Sequence, residues 1–294
     1  MRRAWKYLTV LVVVASIVWL AYKLFIDWQL IVSSITNVLF SHPLVSLLLL
    51  LFTLLGILVD AIRWKCMIGD THNCNIIPHI KTVITSVTYS NFSFLGIGEH
   101  VARVNTSSNG KSGKTVLTDS VIISILNTIT IPCIALPFLT LDHNDPMKHV
   151  DFGKALFVFF ILLFIIVILS FFKTKWTADI KASRVVPAFI LTVVKSFLFF
   201  LQFFILLYFQ ITDISPYQLW CYTCSYYFII TLIPLSSGIS NVAVRTGVIS
   251  MLFFQTSHTS IAVSAVITMW LLNVVLVSVS YFAYHFLIMR LHKK

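Results

Sequence analysis

The sequence predicts an all-α polytopic integral membrane protein, with about six full spans and two re-entrant hairpins. Three properties of its 294 residues predict this class: 59% of them are hydrophobic, only 11% are charged, and the mean hydropathy is +0.95. Soluble globular domains carry about 25% charged residues. Residues 1–294 are therefore expected to form a single transmembrane domain, with no soluble catalytic domain.

Six apolar segments are long enough to cross a bilayer, since a helix of about 20 residues spans the hydrocarbon core. The first follows a basic N-terminus and precedes no small-residue cleavage site, so we interpret it as an uncleaved signal-anchor. The predicted spans are Tyr7–Phe25, Leu44–Ala61, Val116–Leu139, Phe152–Phe172, Val185–Phe209 and Ile261–Ile288.

Two further apolar segments are interrupted. The first, Pro78–Leu95, is rich in Thr and Ser and leads into the glycines around Glu99. The second, Tyr217–Ile233, leads into a break at Pro234–Asn241 and returns through Val242–Phe254, which is short for a span. Non-helical backbone at membrane depth is tolerated only where protein or water surrounds it, so these breaks indicate special local structure.

The distribution of basic residues favours re-entrant hairpins over full crossings. If both interrupted segments crossed, the basic segment Lys173–Arg184 and the tail Arg290–Lys294 would lie outside, against the positive-inside rule. With hairpins, both termini and the predicted turn at Arg63–Lys65 are cytoplasmic, and the acidic loop Asp142–Asp151 is outside. Hairpins that enter from opposite faces also suggest an inverted repeat with a substrate site near the midplane.

Glu99, the only glutamate of the chain, lies four residues before Arg103, directly after Gly98. On a helix this spacing places both side chains on one face. One interpretation is that Arg103 binds a headgroup phosphate, because its planar guanidinium matches phosphate oxygens, and that Glu99 is its partner or a proton acceptor. The alternative is a surface ion pair that contributes little.

The second break supplies further candidate substrate-binding residues. Arg245 is either a second phosphate contact or an interfacial side chain that reaches toward water. The hydrogen-bonding and backbone candidates are Pro234, Ser236, Ser237, Gly238 and Asn241.

Other charged residues near the spans have more ordinary interpretations. Asp60 and Arg63 are predicted to be a cytoplasmic boundary pair at the end of the second span. Asp119 is predicted to cap the following helix or to interact with its N-terminal dipole. Lys195 either lines a cavity or extends to the interface.

The glycine–glutamate–arginine pattern of Gly98, Glu99 and Arg103, followed by Pro234 and Gly238, resembles the lysylphosphatidylglycerol synthase transmembrane-region family. The resemblance covers roughly residues 5 to 290. It implies a flippase-like domain that moves a headgroup-modified lipid between leaflets.

The chain also departs from that family. Ser236, Ser237 and Asn241 stand where paired glycines and a closing acid are usual, and Asp119-Ser120 stands where an acid–arginine pair is expected. The aminoacyl-transferase domain is absent from this sequence, so synthesis of the lipid is not expected of it.

The sequence therefore predicts a lipid or lipid-linked-intermediate translocase of the bacterial inner membrane, with both termini cytoplasmic and anionic or phosphate-bearing lipids as partners. Two alternatives remain open: an integral-membrane transferase with Glu99 or a nearby His as base, and an ion-coupled secondary transporter. We expect no cofactor and no metal. Because the basic residues are confined to short inter-span segments, we expect no nucleic-acid partner.

Overall fold

The computed structural model describes residues 2–69, 75–92, 97–106, 112–138, 182–233, 239–254 and 256–291. Within these ranges the chain forms helices and short turns, and no β-strand occurs in them. The α-helices are α1 (Arg2–Thr36), α2 (Pro43–Ile68), α3 (Ile77–Phe92), α4 (Ile97–Thr106), α5 (Gly113–Ala135), α6 (Ala182–Tyr208), α7 (Pro216–Leu232), α8 (Ile239–Leu252), α9 (Thr259–Trp270) and α10 (Leu276–Leu291). Short π-helical or 3₁₀ turns follow α1, α5 and α9.

Among the described residues, five helical segments are long and apolar enough to cross a membrane: Val18–Ser41, Pro43–Ile68, Gly113–Phe138, Ser183–Tyr208 and Thr259–Tyr284. The all-α membrane class is therefore confirmed. Four of the segments coincide with predicted spans. The predicted span Phe152–Phe172 and the acidic loop lie outside the described residues.

The first span differs from the prediction. We expected it to end at Phe25, yet α1 continues to Thr36 and a π-helical turn extends it to Ser41. Asp27 lowers the hydropathy at the expected end, but its carboxylate accepts hydrogen bonds from Lys23 (2.9 Å) and Ser260 (2.7 Å). The charge of Asp27 is therefore paired inside the protein. The helix continues through this residue with a kink, where φ is −104° and ψ is 18°.

Apart from α9 and α10, which a π-helical turn joins into one long segment, four of the described helices are too short to span a bilayer alone. At 1.5 Å per residue, α3 and α4 are about 24 and 15 Å long, and α7 and α8 about 26 and 21 Å, against a hydrocarbon core of about 30 Å. Helices α3 and α4 pack extensively side by side, and α7 also contacts α8. Each pair is thus a helical hairpin whose two limbs are separated by one of the predicted breaks.

The outer ends of the α7–α8 hairpin are joined. Asp213, just before α7, contacts His258, just after α8, with Oδ2 and Nε2 2.8 Å apart. The hydrogen bond from His258 holds the pKa of the Asp213 carboxyl below its usual range. Two helices arranged end to end could not bring these residues together, so α7 and α8 return to the end of the bundle from which they start.

The same order of helices occurs twice. In the first set, a long helix begins at residue 43, two short helices begin at residues 77 and 97, and a long segment begins at residue 113. In the second set, the corresponding elements begin at residues 182, 216, 239 and 259. The packing between the two sets is reciprocal: α5 contacts α7, and α10 contacts α3. The two leading helices, α2 and α6, share the most extensive interface between described helices.

Aromatic stacking fixes α7 against α6 in the main core. Phe200 stacks on Tyr227 with ring centroids 4.3 Å apart, and Phe203 stacks on Tyr226 at 4.6 Å. The Tyr227 hydroxyl donates to the Phe199 carbonyl oxygen at 3.1 Å. The second hairpin is therefore anchored to a long helix along its first limb.

Gly69 ends α2 in a left-handed conformation with φ +65°, and a Cβ there would lie 2.5 Å from the Arg184 guanidinium. Since the Arg184 side chain can move, the backbone conformation determines the cost. Gly69→Ala is expected to destabilise the protein by about 1 kcal/mol, measured as thermal unfolding in detergent micelles. Gly56→Ala is the matched control, because a Cβ at this helical position meets no described atom within 4 Å. Equal unfolding temperatures for the two variants would contradict the role of the Gly69 conformation.

Candidate functional site

Glu99 and Arg103 form an ion pair on α4, as their spacing predicts. Arg103 Nη2 lies 2.6 Å from Glu99 Oε1, and the Arg103 side chain is only 1% exposed whereas that of Glu99 is 32% exposed. Helix α4 is held on its other side by His100, whose Nδ1 lies 2.7 Å from Ser120 Oγ on α5. The pair is thus not a surface ion pair, because its basic member lies in the interior.

The guanidinium of Arg103 lies against the ring of Trp64, with Cζ 4.9 Å from the ring centroid. Trp64 is fully buried on α2, so it holds the guanidinium plane in place. Nε and Nη1 of Arg103 are buried and find no hydrogen-bond partner among the described residues. Most buried donors are satisfied, so these two donors are available to a group outside the described residues.

Asp60 and Arg63 pair with each other, as predicted, but they do so inside the protein and not on its surface. Asp60 is 3% exposed and Arg63 is fully buried, and α2 continues past both to Ile68. Arg63 donates from Nε and Nη2 to Asp60 Oδ1. The predicted turn at Arg63–Lys65 is wrong, because α2 stays helical through these residues to Ile68.

Lys195 on α6 completes this arrangement. Its Nζ donates to Asp60 Oδ2 at 2.7 Å, so one carboxylate on α2 joins two bases from two helices. Lys195 and Glu99 are also close enough to attract each other, as are Asp60 and Arg103. We call Asp60, Arg63, Glu99, Arg103 and Lys195 the charge cluster; it contains three bases and two acids.

Neutral polar groups extend the charge cluster. Arg63 Nη1 donates to Asn127 Oδ1 on α5 at 2.5 Å and to Thr192 Oγ1 on α6 at 3.2 Å. Two turns away along the α2–α6 interface, Gln202 Nε2 donates to Thr53 Oγ1 at 3.1 Å, and Asn273 Nδ2 donates to Gln202 Oε1 at 3.0 Å. The interface of the two leading helices therefore carries polar side chains along much of its length.

Asp119 does not cap α5. Ser112 is the N-cap, and its side chain accepts from the Thr115 backbone N–H. Asp119 lies inside the helix, is 3% exposed, and has an interaction partner of its own.

The second predicted arginine also has a partner on its own helix. Arg245 Nε donates to Asn241 Oδ1 on α8 at 2.6 Å. The guanidinium also interacts with the hydroxyl of Tyr226 on α7, which is 2% exposed. Arg245 itself is partly buried, so it is held within the protein and does not simply extend into bulk water.

Five of the nine predicted site residues are described. Glu99 is paired with Arg103, Asn241 is paired with Arg245, and Gly98 is buried at the start of α4. Helix α4 packs on α3 and α5, whereas α8 packs on α1, α7 and α9. No extensive contact joins α4 to α8 in the described residues, so the two pairs do not line one groove between touching helices. Pro234, Ser236, Ser237 and Gly238 lie outside the described residues.

The arrangement is suited to anion binding more than to covalent chemistry. A buried guanidinium with unsatisfied donors can bind phosphate or carboxylate oxygens. Glu99, the most exposed member of the charge cluster, can compete with an incoming anion for Arg103.

Comparisons with known proteins identify no relative: no protein-family model matches the chain, and no curated protein matches it.

The charge cluster predicts that replacing Asp60 destabilises the protein more than replacing Asp27. Asp60→Asn leaves Arg63 and Lys195 without their anion, and such a loss in a buried pair costs about 3–5 kcal/mol. Asp27→Asn is the matched control, because Asp27 pairs with one partly exposed lysine and the amide oxygen can still accept from Ser260. We expect its loss of stability to be less than half as large in detergent unfolding. A comparable loss for both variants would contradict the central role of Asp60.

Proposed function

We propose that this protein is a lipid or lipid-linked-intermediate translocase of the bacterial inner membrane. The proposal depends on the state of Arg103. Its guanidinium is buried on the short helix α4, and two of its donors have no hydrogen-bond partner among the described residues. Charged groups inside a membrane domain are costly and indicate a pathway for ions or substrates.

The geometry of the short helices supports re-entrant hairpins. Neither limb of either hairpin reaches about 30 Å, and the ends of the second hairpin meet at Asp213 and His258. In this proposal the two hairpins enter the bilayer from opposite faces, and about six full spans surround them. Both termini are cytoplasmic.

The repeated order of helices supports an inverted repeat. In such transporters, discontinuous helices from two related halves place their ends near the midplane and form the substrate site. The reciprocal contacts, α5 with α7 and α10 with α3, are those that a two-fold axis between α2 and α6 would generate.

In the proposed mechanism a phosphate-bearing headgroup passes through the protein while its acyl or prenyl tails stay in lipid. Arg103 donates to phosphate oxygens from its unsatisfied nitrogens, and Trp64 keeps the guanidinium oriented. The polar side chains between α2 and α6 lower the cost of a charged group at this depth. Ser236, Ser237 and Asn241 provide further hydrogen bonds.

The resemblance of Gly98, Glu99 and Arg103 to the lysylphosphatidylglycerol synthase transmembrane region agrees with this function and remains part of the proposal. The physical argument from Arg103 does not require it.

Replacement of Arg103 tests the function directly. Purified protein is reconstituted into liposomes that contain fluorescent phosphatidylglycerol, and leaflet exchange is followed with a membrane-impermeant quencher. We expect Arg103→Ala to reduce the exchange rate by about tenfold or more, because the phosphate loses its charge-assisted donors. Arg103→Lys should fall between Ala and the unchanged protein, since lysine keeps the charge but not the planar fork.

Arg184→Ala is the matched control, because Arg184 lies beside Gly69 at the end of α2 and is not a member of the charge cluster. It should exchange lipid at the rate of the unchanged protein. Equal rates for unchanged protein and Arg103→Ala would refute the proposed function.

The exposure of Glu99 supports a second candidate, a proton-coupled transporter. Glu99 is one-third exposed and pairs with Arg103, so loss of its negative charge would release the Arg103 guanidinium. This candidate requires solute uptake into liposomes that depends on a pH gradient and is lost in Glu99→Gln. Lipid exchange without such uptake would exclude it.

A further inference from the structure

The two hairpins carry an acceptor–arginine pair at equivalent positions. Helix α4 begins at Ile97, with Glu99 third and Arg103 seventh. Helix α8 begins at Ile239, with Asn241 third and Arg245 seventh. In each helix the arginine bonds to the acceptor four residues earlier, and the donor–acceptor distance is 2.6 Å in both.

The two pairs differ by one charge. Glu99 neutralises Arg103, whereas Asn241 accepts a hydrogen bond from Arg245 without neutralising it. Helix α8 packs on α1, α7 and α9, and the sequences of these four helices contain a single acid, Asp27. Asp27 is already bonded to Lys23 and Ser260. Arg245 therefore has a positive charge that these helices leave uncompensated.

The surroundings of Arg245 are suited to an oxyanion. A partly buried, uncompensated cation is costly in an apolar bundle, and a bound anion removes that cost. The Tyr226 hydroxyl oxygen faces the guanidinium, which leaves its hydrogen available to a ligand oxygen. Tyr227, by contrast, already donates to the Phe199 carbonyl.

We propose that Arg245, Asn241 and Tyr226 form a binding site for one phosphate-ester group, and that Glu99 supplies in the first hairpin the negative charge that the ligand supplies in the second. The lipid nature of the ligand rests on the proposed function. The anion site itself rests on the charge difference between the two pairs.

Exchange of the two acceptors tests this assignment. Asn241→Glu gives Arg245 its own counterion and makes the second pair like the first. Asn241→Gln is the control of matched length without the charge. Full-length protein in detergent is titrated with inorganic phosphate by calorimetry and with phosphatidylglycerol by native mass spectrometry, and thermal unfolding confirms that each variant is folded.

We expect the unchanged protein and Asn241→Gln to bind one equivalent tightly, and Asn241→Glu to bind about tenfold more weakly at this site or not at all. Anion binding at Arg103 is weaker because Glu99 competes for the guanidinium, so Glu99→Asn should convert it into a second tight equivalent. If this variant does not fold, the comparison of Asn241→Glu with Asn241→Gln decides alone.

Three results would overturn the site. The first is equal binding by Asn241→Glu and the unchanged protein, the second is an equal loss of binding in Asn241→Glu and Asn241→Gln, and the third is that neither probe binds. Binding of the lipid, with or without free phosphate, supports the site on a lipid headgroup. Binding of phosphate without the lipid supports the anion site and contradicts the lipid function, so the two proposals fail separately.

Discussion

The carboxylate of Asp60 is the group on which the interior of this protein depends. A buried guanidinium and a buried ammonium are each costly in an apolar bundle, and Asp60 compensates both, with Arg63 from its own helix and Lys195 from α6. The interaction therefore fixes how the two leading helices face each other. It also explains how α2 can carry Arg63 and Trp64 inside the protein, where Trp64 supports Arg103 of the first hairpin.

Local patterns predicted the fold better than they predicted the site. Hydropathy located four of the five described spans, because each is a continuous apolar run. The pairing of Glu99 with Arg103 followed from helical spacing alone. The contact of Asp60 with Lys195 joins residues 135 positions apart, and no sequence spacing encodes it. Sequence spacing also does not encode the burial of Asp119, because that burial depends on how α5 packs. The N-cap geometry of Ser112 shows where α5 begins.

The short helices connect this packing to function. A hairpin of two short limbs cannot satisfy its backbone or charges against lipid, so it requires long helices beside it. The first hairpin has α2, α5 and α10 as neighbours, and the second has α1, α6, α5 and α9. Each arginine thus lies on the return limb of a hairpin, and each hairpin as a whole contacts helices of both repeated sets.

The positive charge of Arg103 is neutralised by Glu99, whereas that of Arg245 faces only an amide acceptor on its own helix. This difference gives the proposed transport a physical rationale. An anion that approaches Arg103 competes with Glu99 for the guanidinium, which weakens binding and speeds release. An anion that approaches Arg245 meets the neutral oxygens of Asn241 and Tyr226, and we expect it to bind more strongly there. A carrier with two equally strong sites would hold its ligand, whereas one strong and one weakened site permit capture at one and release from the other. The two sites lie on helices without extensive contact in the described residues. We therefore propose that passage between them follows the polar interface of α2 and α6, where Asp60 and Lys195 are paired.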